Sequence, residues 1–187
     1  SSIVTGYFNG TATFGSTTLT SAGDDDLFVA KLDSNGDYLW AKQGGGSSDD
    51  TTYGITSLSD NSSIVTGRFS GSATFGSTTL TSAGNDDVFI AKLDSNGNYL
   101  WAKKAGASSD DKGYAITSLS DNSSIVTGEF QGTATFGSTT LTADDRDVFI
   151  AKLDSNGNYL WAKQGGGNNY DRGYGIASLS DNSSIVT

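Results

Sequence analysis

The chain has neither cysteine nor histidine in its 187 residues. The first absence excludes a disulfide framework, cysteine-ligated zinc and thiol catalysis. The second removes the commonest general base and the usual partner of a serine or cysteine nucleophile, so no enzyme and no catalytic residue is expected. Glutamate occurs once, at Glu129, and strong helix formers are scarce beside the Gly, Ser, Thr, Asp and Asn that dominate. Local preference therefore favours strands and turns over helix. No apolar run approaches the ~18 residues of a spanning helix, and no membrane insertion is expected. Basic residues number 11 against 21 acidic ones, a formal net charge of −10. Such a field opposes nucleic acid and anionic membrane surfaces, and accommodates a cation or a neutral polymer more readily. Methionine is missing even at position 1, which reads as a processed product or an excerpt from a longer chain.

What the chain does contain is a repeat. The string SSIVT begins at Ser1, Ser62, Ser123 and Ser183, which divides the sequence into units 1–61, 62–122 and 123–182 and the start of a fourth, 183–187. The first two units differ at 13 positions, and the third is one residue shorter where TSAGDDD becomes TADDRD. A period of this size points to a repeat architecture before any residue-level reading begins.

Turn signals cut each unit into short strands. In the first unit these are Ile3–Phe8, a Thr-rich segment Thr11–Thr20, Leu27–Leu32, Tyr38–Gln43 and Tyr53–Leu58. Asn35-Gly36 predicts a two-residue type I′ hairpin, pairing Leu32 with Leu39 and Lys31 with Trp40. Gly15-Ser16 closes TATF on TTLT, and Asp60-Asn61 joins YGITSLS to the next SSIVTG. LFVAKL and YLWAK are apolar on both faces, so each strand is expected to be buried on two sides. Sheets stacked face to face around an axis meet that demand. The expected fold is all-β, with tandem four-stranded antiparallel blades of a β-propeller, three repeats of an incomplete ring. A stacked β-solenoid also buries both faces and stays open as the alternative, although its coils usually take ~20–30 residues and seldom hold tight hairpins.

The segment DDLFVAKLDSNGDYLWAKQGGGSSDDTTYGITSLSDN, with DDVFIAKLDSNGNYLWAKKAGASSDDKGYAITSLSDN and DVFIAKLDSNGNYLWAKQGGGNNYDRGYGIASLSDN, resembles the SBBP-type β-propeller repeats of large exported and cell-surface bacterial proteins. The resemblance implies that YGITSLSD is the strand nearest the axis, SSIVTG the second, LFVAKLD the third and YLWAK the outermost. It implies an extracellular or cell-surface setting and no single activity, since fold does not carry function. The TATFGSTTLTSAG insertion departs from that pattern, and is expected to lengthen the blade and decorate its rim. Propellers commonly use 4–8 blades, so three are expected to need either a longer array or further copies of the chain. An acidic structural or adhesive scaffold that partners with itself is the first expectation. A lectin-like propeller with repeated sites is the second.

Trp40, Trp101 and Trp161 each face a lysine in the expected register, Lys31, Lys92 and Lys152. Packing of the lysine on the indole explains this structurally, and stacking of carbohydrate on the ring is the functional reading. Acidic clusters recur at Asp24, Asp25 and Asp26, at Asp86 and Asp87, and at Asp144, Asp145 and Asp147, then again at Asp49 and Asp50, Asp110 and Asp111, and Asp171. Turn capping and solubility account for them, and Ca²⁺, which takes 6–8 oxygen ligands, is the functional alternative, with Asp25, Asp26, Asp86, Asp87, Asp145 and Asp147 the candidate ligands. No other cofactor is expected. The Asn-Ser-Ser sequons at Asn61, Asn122 and Asn182 coincide with the expected turn, so turn chemistry explains them without glycosylation. The GGG runs at Gly44–Gly46 and Gly165–Gly167 lack the following helix that a phosphate loop needs, and read as connectors.

Overall fold

A computed structural model describes residues 1–187. It is all-β and antiparallel, with strands β1 (Ser2–Phe14), β2 (Thr17–Leu32), β3 (Tyr38–Gly46), β4 (Asp50–Ser57), β5 (Ser63–Phe75), β6 (Thr78–Leu93), β7 (Tyr99–Ala105), β8 (Lys112–Ser118), β9 (Ser124–Phe136), β10 (Thr139–Leu153), β11 (Tyr159–Gly165), β12 (Ile176–Ser178) and β13 (Ser184–Val186). Hydrogen bonding orders the strands β4-β5-β6-β7 in a second sheet and β8-β9-β10-β11 in a third. The first sheet is β1-β2-β3, and β12 pairs only with β13. Each sequence unit thus opens on the second strand of one sheet and finishes on the first strand of the next. Two residue pairs, Gly45 with Thr74 and Gly46 with Ala73, tie β3 to β5 and so join the first sheet to the second.

The hydrophobic residues pack between sheets rather than within one. Along β6, Phe89, Ala91 and Leu93 share a core with Leu27 and Val29 of the first sheet. Their neighbours Val88 and Ile90 share the other core with Phe149, Ala151 and Leu153 of the third. Successive strand residues point to opposite faces, so a strand with apolar residues at every position is one that is covered on both sides. The pattern of VFIAKL in β6 has this cause, whereas LFVAKL in β2 meets a neighbouring sheet on one face, through Leu27 and Val29. The first strands lie side by side, β4 along β8 and β8 along β12. Tyr53 on β4, Tyr114 on β8 and Tyr174, just before β12, form a row with ring centroids 5.5 and 5.1 Å apart.

Three local expectations need correction. The DSNG hairpin does form, and Lys31 does pair with Trp40, but Leu32 pairs with Tyr38 rather than Leu39. The turn is longer than two residues, because only Gly36 has positive φ, +88°, and the Asp33 N–H donates to the Asp37 carbonyl at 2.9 Å. This is the three-residue hairpin in which a type I turn ends on a left-handed residue. The Asp33 carboxylate accepts the N–H groups of Asn35 and Asp37 at 2.7 and 3.0 Å, which favours the wider turn. Secondly, Ile3–Phe8 and the Thr-rich segment are not separate elements: β1 and β2 run straight into the inserted hairpin, which Gly15 closes at φ +61°. Thirdly, that hairpin does not decorate a rim. Phe75 near its tip is 1% exposed, packs on Phe89 and Tyr99 of its own sheet with centroids 4.9 and 5.8 Å away, and shares a core with Leu27 and Val29 of the first sheet. The hairpin is wedged against the neighbouring sheet, where burying a phenyl ring is worth more than exposing it.

Candidate functional site

The tryptophans join consecutive repeats. Trp40 leaves β3 so that its indole N–H donates to the Ser95 carbonyl in the following hairpin turn at 3.1 Å, and Trp101 does the same to Ser155 at 3.3 Å. The ring lies on the turn glycine: a Cβ on Gly97 would meet the Trp40 ring at 2.9 Å, and one on Gly157 the Trp101 ring at 2.9 Å. Gly97 and Gly157 have φ of +83° and +80°, so glycine answers both the backbone and the close approach there. Trp161, also half-buried, pairs with Lys152 in the same register. The lysine ammonium groups are engaged elsewhere, Lys31 with the Ser95 carbonyl at 3.3 Å, Lys92 with Asp60 at 3.7 Å and Lys152 with Asp121 at 3.9 Å.

Beside each indole contact runs a groove between one outer strand and the next repeat. One, of about 510 Å³, is lined by Lys42, Gln43, Gly76, Asn98 and Tyr99 among others. Its counterpart, of about 350 Å³, is lined by Lys103, Lys104, Gly137, Asn158 and Tyr159. These are the same positions one unit later.

The structure separates the adjacent aspartates. Asp25 is half-buried, and Asp86 pairs outward with Arg68 at 2.8 Å and Lys112 at 3.5 Å. Asp145 stays half-buried on the edge of β10. Asp26, Asp87 and Asp147 turn inward instead, 0%, 0% and 4% exposed. Each meets a carboxylate that lies 24 residues further on, Asp50, Asp111 or Asp171, across the positive-φ glycine of the connector. A Cβ on Gly45 would touch Asp26 Oδ1 at 2.7 Å and Asp50 Oδ2 at 3.0 Å, and one on Gly106 would touch Asp111 Oδ2 at 2.7 Å and Asp87 Oδ1 at 2.9 Å. Gly166 stands between Asp147 Oδ1 and Asp171 Oδ2 in the same way. Burial pushes Asp26, Asp87 and Asp147 upward from the ordinary carboxylate range, and it pushes Asp50 and Asp111 up to about 7, with the facing aspartate adding to the rise. Sequence reasoning grouped each inward aspartate with an acidic residue one or two positions before it in the chain. The usable signal was the constant separation of 24 residues.

A third constellation surrounds Glu129, which is 0% exposed. Arg146 donates to its Oε1 at 2.8 Å and Arg172 to its Oε2 at 2.5 Å, while Arg146 also reaches Asp110 at 3.0 Å. Both guanidinium groups lie within 6 Å of the Tyr170 ring, at 5.7 and 5.9 Å. The sequon asparagines sit in the left-handed position of their turns, with φ of 61°, 61° and 63°. Two of them accept across repeats, Asn122 from the Ser59 hydroxyl at 2.9 Å and Asn182 from the Ser120 hydroxyl at 2.8 Å. Compared with known proteins, the chain matches no family model and no curated protein.

Proposed function

We propose that the chain is a non-enzymatic structural or adhesive repeat scaffold of a secreted or cell-surface protein, its sheets being consecutive blades of a β-propeller. The observation that carries this reading is the recurrence of one head-to-tail interface. The second sheet is covered on both faces, by the first and by the third. The indole-to-turn contact and the Ser–Asn bond reappear one unit later. A surface that accepts the next copy of itself in this heterologous manner builds a ring if the rotation closes and an array if it does not. Its partners are therefore further copies of the same unit. The inner position of β4, β8 and β12 and the order of the strands fit propeller blades better than solenoid coils. Electron microscopy of a polypeptide carrying six of these units tests the fold. Discs with a central channel are expected, and an extended rod overturns the propeller in favour of the solenoid.

A second reading, a lectin-like or other ligand-binding propeller, is favoured by the two equivalent grooves beside Tyr99 and Tyr159. Repeated weak sites gain strength through multivalency. Tryptophan emission, measured across a panel of neutral glycans, tests this reading, because Trp40 and Trp101 stand next to these grooves. A saturable change supports it, and a flat response across the panel removes it.

A further inference from the structure

The inward carboxylate pairs present an unsolved charge problem. Asp26 Oδ1, Asp87 Oδ1 and Asp147 Oδ1 are buried and have no hydrogen-bond partner. Their other oxygens are occupied: Asp26 Oδ2 accepts the Ala22 N–H at 3.0 Å and Asp87 Oδ2 the Ala83 N–H at 3.0 Å, while the Gln164 amide donates to Asp147 Oδ2 at 3.4 Å. The facing aspartates are held by the backbone. Asp50 accepts from Gly46 at 2.7 Å and Ser70 at 3.3 Å, Asp111 from Ala107 at 3.0 Å and Gln131 at 3.2 Å, and Asp171 from Gly167 at 2.9 Å. In the first two pairs every oxygen except one is thus bonded, in the third Asp171 Oδ1 also lacks a partner, and in each pair the buried unbonded oxygen faces a second carboxylate. An unpaired buried oxygen costs desolvation, and two facing anions cost more. The same defect occurs three times at the same place, so it belongs to the unit and is not a local accident.

We infer that each pair, Asp26 with Asp50, Asp87 with Asp111 and Asp147 with Asp171, holds a divalent cation of the calcium class. Two hard carboxylate donors on a fixed backbone suit Ca²⁺, which takes its remaining ligands flexibly from carbonyls and water. The cation cross-links β2, β6 or β10 to the chain that enters the first strand of the next sheet, and so braces the joint between units. The three sites also contain their own control. At one position they carry Gln43, Lys104 and Gln164 in turn, and the Lys104 ammonium already sits 3.3 Å from Asp87 Oδ2. A fixed positive charge at that distance competes with a cation, so the middle site binds more weakly than the outer two.

Calorimetric titration of the chelator-treated full chain with CaCl₂ at neutral pH tests this. Two tight sites and one weaker site are expected. Lys104→Gln, a change at an exposed side chain, should tighten the middle site about tenfold, since an ion-pair term of this size is readily worth one decade. Asp26→Asn should remove one tight site and leave the others. Asp33→Asn, in an exposed turn, should leave all three. The inference is overturned if no saturable heat appears and the melting temperature is the same with CaCl₂ and with chelator, because the pairs then share a proton instead. It is also overturned if Asp33→Asn abolishes binding or if Lys104→Gln changes nothing, either of which shows surface binding only. Where Asp26→Asn fails to fold, the Lys104→Gln titration still decides.

Discussion

Where the second sheet has Arg68 on β5 and Asp86 on β6, the third has Glu129 on β9 and Arg146 on β10. The positions are equivalent: Arg68 and Glu129 stand opposite Val88 and Val148, and Asp86 and Arg146 opposite Ser70 and Gln131. Both pairs close at 2.8 Å with their charges exchanged. In a chain whose units are otherwise almost identical, this exchange shows that the joint requires complementarity and not a particular sign. The first sheet has Tyr7 and Asp25 there and makes no such pair.

The two pairs differ in depth. The Arg68 side chain is 21% exposed and also donates to the Tyr53 hydroxyl. The shorter Glu129 sinks to 0% exposure and draws cations from two directions, Arg146 of its own sheet and Arg172 from the segment that precedes β12. The Arg68–Asp86 pair is partly buried, and Asp86 also keeps Lys112 as a second cation. A buried carboxylate depends on its partners to offset lost hydration. The same chemistry is therefore partly buried in one sheet and fully buried at its carboxylate in the next.

The largest expected effect comes from stranding the buried charge. Replacing Arg146 and Arg172 together by alanine should cost about 3–5 kcal/mol of unfolding free energy in denaturant titrations, against about 1–2 kcal/mol for Arg68→Ala, which leaves Lys112 on Asp86. Equal losses would show that depth does not separate the two sheets. Next, Arg68→Glu sets two acids side by side, and adding Asp86→Arg should recover the loss with a coupling of about 1–2 kcal/mol in a double-mutant cycle. The mirror exchange, Glu129→Arg with Arg146→Glu, should not recover, because Arg172 then meets another arginine. Gly97→Ala and Gly157→Ala should each cost about 1–3 kcal/mol, since both meet an indole at 2.9 Å; matching losses confine the difference between sheets to the ion pair.

The smallest contrast is expected from Asp94 and Asp154, whose carboxylates are held below their usual range by the Asn98 and Asn158 side chains and by backbone N–H groups. A depressed folded pKa stabilises above the unfolded value near 3.8, and that stability disappears as pH falls through the folded value. Asp94→Ala and Asp154→Ala should thus lower the melting temperature slightly and equally at pH 7 and converge with the parent in acid. A shift in one variant alone would mean that the turns, too, differ between sheets.

The all-β class was legible because glycine, threonine and asparagine exclude helix and because strands apolar at every position demand cover on both faces. The strand order was legible too, since YGITSLS and SSIVTG are separated only by a turn. The turn type was misread at Asn35-Gly36, where the Asp33 carboxylate captures two backbone N–H groups and widens the loop. That competition is local, but the dipeptide alone does not reveal it. The inserted hairpin was expected at a rim because it departs from the resembled repeat pattern, and its two buried residues, Ala73 and Phe75, only gain meaning from the sheet they press against.

The recurring SSIVT, the alternating faces and the acid content follow from the chain alone, since they depend on neighbours one or two residues away and on repeated spacing. Which aspartates face each other, which glycines lie under an indole, and which charge is buried were decided by the tertiary structure. Those outcomes depend on where one unit is laid against the next. Residues 24 positions apart, such as Asp26 and Asp50, meet across a connector whose course is set by packing between sheets and not by local preference.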